Sequence, residues 1–213
     1  AWNQLLNALT LGEDLEKQLN ILVSVCNGVA FAHSRSIVHC DLKPENVMVG
    51  DFGEVLVMDW GLALNVASSD QEGEQNRARH KTELNEPSGT PFYMPPELAE
   101  GRGKDVGVWT DIYLLGGILH RILLGKPPHS GNSLMEVIQA ASLSAPPTFP
   151  DDCPDELKAI CGRSLAREPK DRQENVLEFQ DGLQNFLEHR ESSQISDAAT
   201  SSLESCIKRS NDP

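Results

Sequence analysis

Asp41, Lys43 and Asn46 lie in the run His39-Cys40-Asp41-Leu42-Lys43-Pro44-Glu45-Asn46, and Asp59 follows in Asp59-Trp60-Gly61. A phosphoryl acceptor hydroxyl must be aligned with phosphorus and must lose its proton, and a loop carboxylate such as Asp41 can do both. Lys43 is close enough in sequence to reach the same side and neutralise charge on the group in transfer. The amide oxygen of Asn46 and the carboxylate of Asp59 are hard ligands of the kind Mg²⁺ accepts while bridging nucleotide phosphates. Each residue alone is an ordinary surface polar group. The set Asp-x-Lys-x-x-Asn, then β-prone strands, then Asp-x-Gly, is an inventory for moving a phosphoryl group.

Such residues need loops held by a frame, and the flanking sequence predicts one. Leu15, Leu19, Leu22, Cys26, Val29, Ala30 and His33 recur at helical spacing, which predicts an amphipathic helix over 15–33. Ile37-Val38, Val47-Met48-Val49 and Val55-Leu56-Val57 read as short strands, with Gly50-Asp51-Phe52-Gly53 as a tight connection between the last two. Residues 62–88 are polar without apolar period and predict a long mobile loop. Thr110 is the expected cap of a helix over 111–124 that is apolar almost all round, hence a core axis, with Gly125 ending it. Ser133-Leu134-Met135-Glu136 fits a capping box for a helix to Ala141. Further helices are expected from Pro154 to Leu165 and from Val176 to Leu187. The Ser-rich tail from Glu191 reads as a linker, with a weak helix near Leu203. The fold class is mainly α with a few short β-strands.

The 213 residues suffice for one domain with a substantial core. No apolar run is long enough to span a bilayer, and the first residues lack a signal-peptide pattern, so a cytoplasmic chain without membrane contact is expected. Cys26, Cys40, Cys153, Cys161 and Cys206 match no zinc spacing and read as reduced thiols. A net charge of −14 argues against nucleic acid as a partner.

With these motifs in place, the chain resembles the C-terminal lobe of a eukaryotic-like (Hanks-type) bacterial serine/threonine protein kinase, most visibly in DLKPENVMVGDFGEVLVMDWGLA. The resemblance covers residues 1–188: a catalytic loop at 37–49, an activation segment at 59–97 and a helical subdomain at 98–188, followed by a linker or disordered tail over 189–213. It implies ATP and Mg²⁺ as cofactors and a protein with a Ser or Thr acceptor as substrate. Asp41 matches the catalytic Asp, Lys43 the catalytic-loop Lys of Ser/Thr-directed members, Asn46 and Asp59 the Mg²⁺ ligands, and Met48 the apolar residue beneath adenine. Gly89-Thr90-Pro91-Phe92-Tyr93-Met94-Pro95-Pro96-Glu97 resembles the end of the activation segment, with Thr90 seating the acceptor and Glu45 reading a neighbouring basic residue. Glu97 is expected to pair with Arg172, Asp111 to hold backbone amides of the catalytic loop, and His39 to support that loop.

The departures from the family pattern carry their own expectations. Cys40 stands where many members have an Arg that meets an activation-loop phosphate, so control by that route is not expected, although Ser68, Ser69, Thr82 and Ser88 remain as candidate phosphosites. The carboxylate beside Cys40 is expected to raise its thiol pKa. Trp60 replaces Phe without touching the metal ligand. No Gly-x-Gly-x-x-Gly occurs, so the N-lobe is expected to be absent from these residues and the chain alone to be weak or inactive. The apolar face that would meet an N-lobe, around Met48 and Val57, is expected to be adhesive. A catalytically silent remnant acting as a protein-binding scaffold is the alternative to an enzyme.

Overall fold

The structure, a computed structural model, describes Trp2, residues 15–67 and residues 78–192. Helix α1 (Leu15–His33) forms where the sequence places it, but its buried face is broader than the expected stripe. Ile21, Val25 and Ala32 are buried, whereas Leu15, Ala30 and His33 are only half-buried. The extra width arises because α1 packs against both the central helix and one strand of each small sheet. Trp2 is fully buried in the same core, and its indole N–H donates to Gln18 Oε1.

Two small sheets carry the loops of interest. The chain leaves α1 into β1 (Ile37–Val38), runs through a 3-10 turn at Pro44–Asn46, and enters the hairpin β2 (Val47–Val49) and β3 (Val55–Val57). The hairpin pairs Val47 with Val57, Met48 with Leu56 and Val49 with Val55. Because strand side chains alternate between faces, Met48 and Leu56 share the exposed face while Val49, Val55 and Val57 pack toward the core. The expected adhesive face is corrected accordingly: Leu56 lies on it, and Val57 does not.

The expected mobile loop over 62–88 also needs correction. Residues 68–77, with Ser68 and Ser69, lie outside the described residues. On either side, β4 (Leu64–Asn65) pairs antiparallel with β1, and β5 (Arg79–His80) pairs parallel with β4. A 3-10 turn at Lys81–Glu83 follows, with the His80 side chain accepting from Thr82 N and Glu83 Oε1 accepting from His80 N. Lys81 Nζ donates to the carbonyls of Lys104 and Val106. Leu64 and Leu84 supply the apolar anchors that the polar composition conceals.

Helix α2 (Pro96–Ala99) leads to α3 (Val108–Leu124), which is buried along nearly its whole length and forms the expected axis. It begins earlier than Thr110. Gly107 is the cap position, and Thr110 sits inside the first turn, its hydroxyl accepting from Gly107 N at 3.2 Å and donating to Glu97 at 2.9 Å. Gly125, at φ 70°, closes the helix. Helix α4 (Leu134–Leu143) starts as expected at Ser133, whose hydroxyl accepts from Glu136 N, and runs two residues beyond Ala141. Helix α5 (Asp155–Ser164) and helix α6 (176–192) complete the frame. Residues 189–192, expected in the linker, continue α6; residues 193–213, with the helix expected near Leu203, lie outside the described residues.

The main core joins α1, α3, α5 and α6 through residues such as Leu19, Leu115, Ile118, Phe179 and Leu183. A smaller cluster of Val38, Cys40, Leu64, Leu84, Met94, Leu98, Ala99, Val106 and Ala141 lies separately. Between the helices sits a polar knot. Tyr113 Oη is 3.1 Å from His129 Nε2 and 2.7 Å from Ser144 Oγ, which donates to Leu165 O. Burial pushes the His129 pKa down to about 4, with the charge of His120 acting in the same direction and the bond to Met94 O opposing it. A histidine whose folded pKa lies below the unfolded value of 6.5 loses stability as pH falls from 6.5 toward 4, because the unfolded chain takes up the proton first. Acidification over that window should cost about 3 kcal/mol through this residue. Urea titrations at pH 7 and near 4.5 check it: His129→Asn should flatten the pH dependence relative to wild type, and an unchanged slope would remove His129 as its source.

Candidate active site

Asp41 is placed by its two neighbours in sequence. Cys40 is buried in the smaller apolar cluster and Leu42 in the main core, so the residue between them is anchored on both sides. The backbone at Cys40 is left-handed, with φ 65°. That conformation costs a non-glycine residue about 1–2 kcal/mol. It is offset by burial of the side chain and by Asp111, whose carboxylate accepts from Cys40 N at 3.0 Å and from His39 N at 2.8 Å. Asp111 is itself fully buried on the first turn of α3. His33 Nε2 adds a third contact at 2.9 Å from Asp111 Oδ2. Sequence reasoning placed His33 in an apolar stripe and missed this role; a histidine in the last turn of an otherwise apolar face was the available signal.

His39 supports the loop from the other side. Its Nδ1 accepts from Asp41 N at 3.2 Å, which leaves Nε2 to donate to Met58 O at 3.0 Å. The imidazole also lies against Trp60, with ring centroids 4.6 Å apart. A single histidine thus ties the Asp41 loop to the Asp59 loop. The hairpin does the same, since Met58 N donates to Asn46 O at 2.8 Å.

The Asp41 carboxylate collects donors on both oxygens. Oδ1 accepts from Thr90 N at 2.9 Å and from Thr90 Oγ1 at 2.7 Å. Oδ2 accepts from Lys43 Nζ at 2.7 Å and from Asn46 Nδ2 at 3.2 Å. Lys43 Nζ also donates to Thr90 Oγ1 at 2.6 Å, so Asp41, Lys43 and Thr90 form a closed triangle. Thr90 comes this close because Gly89 precedes it: at φ 111°, a Cβ on Gly89 would stand 3.1 Å from Cys40 O.

Asn46 Nδ2 also donates to Asp41 O at 2.8 Å, so its amide nitrogen is committed and Oδ1 is the atom left for a cation. Asp59 is exposed, at φ 61°, with Oδ1 accepting from Gly61 N at 3.4 Å. Among the described residues no group of three or more His, Cys, Asp or Glu is placed to hold a metal ion. A pair of oxygen ligands without a protein cage fits Mg²⁺, which keeps its waters and leans on substrate phosphates, rather than a tightly enclosed ion. Met48, two residues after Asn46, is 43% exposed. Glu45 is exposed; burial, with the Glu45 charge adding to it, pushes the Tyr93 phenol up to about 12.

The expected Glu97–Arg172 pair forms with both side chains fully buried, at 2.7 Å (Nη1–Oε1) and 3.0 Å (Nη2–Oε2). The Cys40 thiol is pushed well up, as expected, but burial is the larger cause, with Asp111, Glu97 and Asp41 adding to it. Of the candidate phosphosites, Thr82 is exposed, with Oγ1 at 2.7 Å from His80 Nδ1, and Ser88 is half-buried.

Comparisons with known proteins find similar chains. The family model described as the protein kinase domain matches residues 3–208. Serine/threonine-protein kinase PknD of Protochlamydia amoebophila is 32% identical over 194 residues, which cover 84% of this chain and 19% of that protein. PknD of Chlamydia felis is 31% identical, with 84% and 21% covered. PknB of Mycobacterium tuberculosis is 30% identical over 167 residues, with 77% and 25% covered. The chain spans about a fifth to a quarter of the length of these relatives.

Proposed function

Because this chain belongs to the protein kinase family, we propose that it carries the catalytic loop, cation ligands and substrate ledge of a serine/threonine protein kinase, acting on a protein Ser or Thr with ATP. The observation that carries this is the Asp41–Lys43–Thr90 triangle. Thr90 Oγ1 occupies the relation to Asp41 and Lys43 that an acceptor hydroxyl needs: one carboxylate oxygen to take its proton and one ammonium beside the developing charge. A Ser or Thr hydroxyl brought to the same carboxylate would be aligned and deprotonated as it attacks. Asn46 Oδ1 and Asp59 would hold Mg²⁺, which supplies neutralisation of the nucleotide phosphates. Asp111, His33 and His39 keep the loop in this shape, and Met48 offers an apolar floor for the adenine.

The 213 residues contain no Gly-x-Gly-x-x-Gly, and the described strands form one three-stranded and one two-stranded sheet. We therefore assign the upper wall of a nucleotide cleft to polypeptide outside these residues, and residues 1–188 to the C-terminal lobe. The scaffold reading draws its support from the same observation. Transfer of labelled phosphate from ATP to a basic test protein separates the two. The kinase carrying these residues should label Ser or Thr in a Mg²⁺-dependent manner, and the 213-residue chain alone should do so weakly. A complete lack of transfer by the former favours the scaffold.

The open face has a physical consequence for the isolated chain. Met48 is 43% exposed, Leu56 52% and Phe52 98%, all on or beside the β2–β3 hairpin. Exposed apolar surface of this kind drives association. Sedimentation across a concentration series should show self-association of the chain, relieved by Leu56→Lys; a wild-type monomer at all concentrations would count against it.

A further inference from the structure

A hollow of about 230 Å³ lies at the end of α3, between residues 126–130 and residues 145–148. Nothing in the catalytic triangle uses it. An apolar cavity of about 150 Å³ suffices for a benzene ring, so this one has room for a ring with substituents.

Two histidines border it, each only 5% exposed. His120 Nδ1 is 2.9 Å from Lys126 O. A carbonyl can only accept, so Nδ1 carries the hydrogen and Nε2 is a bare acceptor. His129 Nε2 is likewise 3.1 Å from Met94 O, so Nε2 carries the hydrogen and Nδ1 is the bare acceptor. Burial lowers the pKa of both side chains, so both rings are neutral at pH 7. Among the described residues, the sealed side-chain polar atoms without a partner are Gln18 Nε2 and Gln173 Oε1. The two imidazole lone pairs are therefore open, and the hollow is the space that both residues line.

The walls around them are preset. His129 N donates to Phe92 O at 3.1 Å, and its ring stacks on Tyr113 with centroids 6.1 Å apart. The Phe149 ring lies 6.5 Å from that of His120. Pro127, Pro128, Pro146 and Pro147 add flat apolar faces whose backbone φ is fixed. A site of this kind binds without first ordering its own side chains. Lys126 is exposed at the mouth, and its charge reaches His120.

We propose that this hollow binds a small flat acid: one aromatic ring whose N–H or O–H groups donate to His120 Nε2 and His129 Nδ1, with a carboxylate turned toward Lys126. Fixed acceptors select for donors, the proline and aromatic faces select for a ring, and the cation at the mouth selects for an anion. The site stands apart from the Asp41 loop and does not depend on phosphoryl transfer.

The test uses the kinase that carries these residues and the isomers of aminohydroxybenzoate, which vary donor spacing around one ring. Calorimetric titration should give at least one isomer a Kd below about 1 mM, with benzoate, which lacks the donors, about tenfold to a hundredfold weaker. His120→Asn keeps a donor toward Lys126 O and removes the second nitrogen; it should weaken the isomer about tenfold and leave benzoate unchanged. Lys126→Met, an exposed change, should weaken both acids, and it decides the matter if His120→Asn does not fold by circular dichroism. No binding by any isomer, equal binding of benzoate, or affinities that folded His120→Asn and Lys126→Met leave intact overturn the proposal. Displacement of the isomer by ATP with Mg²⁺ places it at the nucleotide site and also overturns it.

Discussion

Asp41→Asn should lower the rate of phosphoryl transfer about a thousandfold or more, with the KM for ATP changed little. The substitution keeps the shape and keeps one acceptor, so the two bonds from Thr90 to Oδ1 can persist. It replaces the other oxygen with an amide nitrogen that faces the donors of Lys43 and Asn46. Donor then meets donor, Lys43 loses its partner, and no base remains for the acceptor proton. Asn46 Oδ1 and Asp59, the proposed cation ligands, are not altered chemically. Initial rates on a Ser peptide at saturating ATP measure the effect, with circular dichroism to show that the fold is kept. A residual rate within tenfold of wild type would remove Asp41 from the chemistry.

Arg172→Met should destabilise the fold by about 3–5 kcal/mol, a large share of the ~5–15 kcal/mol typical of a domain. All five guanidinium hydrogens have acceptors: Glu97 twice, and the carbonyls of Trp109, Ala166 and Arg167. Removing the cation strands the Glu97 carboxylate at 0% exposure. Replacing both partners, as in Glu97→Leu with Arg172→Met, should recover part of the loss, because a matched apolar pair leaves no buried charge. The single variant should unfold roughly 10 °C earlier. An unshifted midpoint in the single variant would be falsifying evidence for the pair as a stabilising element.

The helical frame was legible because its signals are local. Helices α1, α3 and α5 follow the apolar period and the turn residues closely, and Ser133 announces α4. The two strands between residues 64 and 80 were not legible. Strands β4 and β5 are two residues each, too short for any period to show, and they are held by pairing and by Lys81 reaching distant carbonyls. Thr110 misled as a cap because its hydroxyl serves Glu97, a partner thirteen residues away that propensity does not see. The members of the site could be named from motif spacing, but their geometry could not. Asp41 and Thr90 are 49 residues apart, and His33 and Asp111 are 78 apart.

The first turns of α3 bind three regions through nearly consecutive residues: Thr110 holds Glu97, Asp111 holds the amides before Asp41, and Tyr113 holds His129 and Ser144. These residues sit on the most deeply buried helix of the described fold. The reactive loop therefore has no separate melting route, and its geometry and the global fold share one cooperative unit. Heat or denaturant would not yield a population that is folded yet has lost the geometry around Asp41.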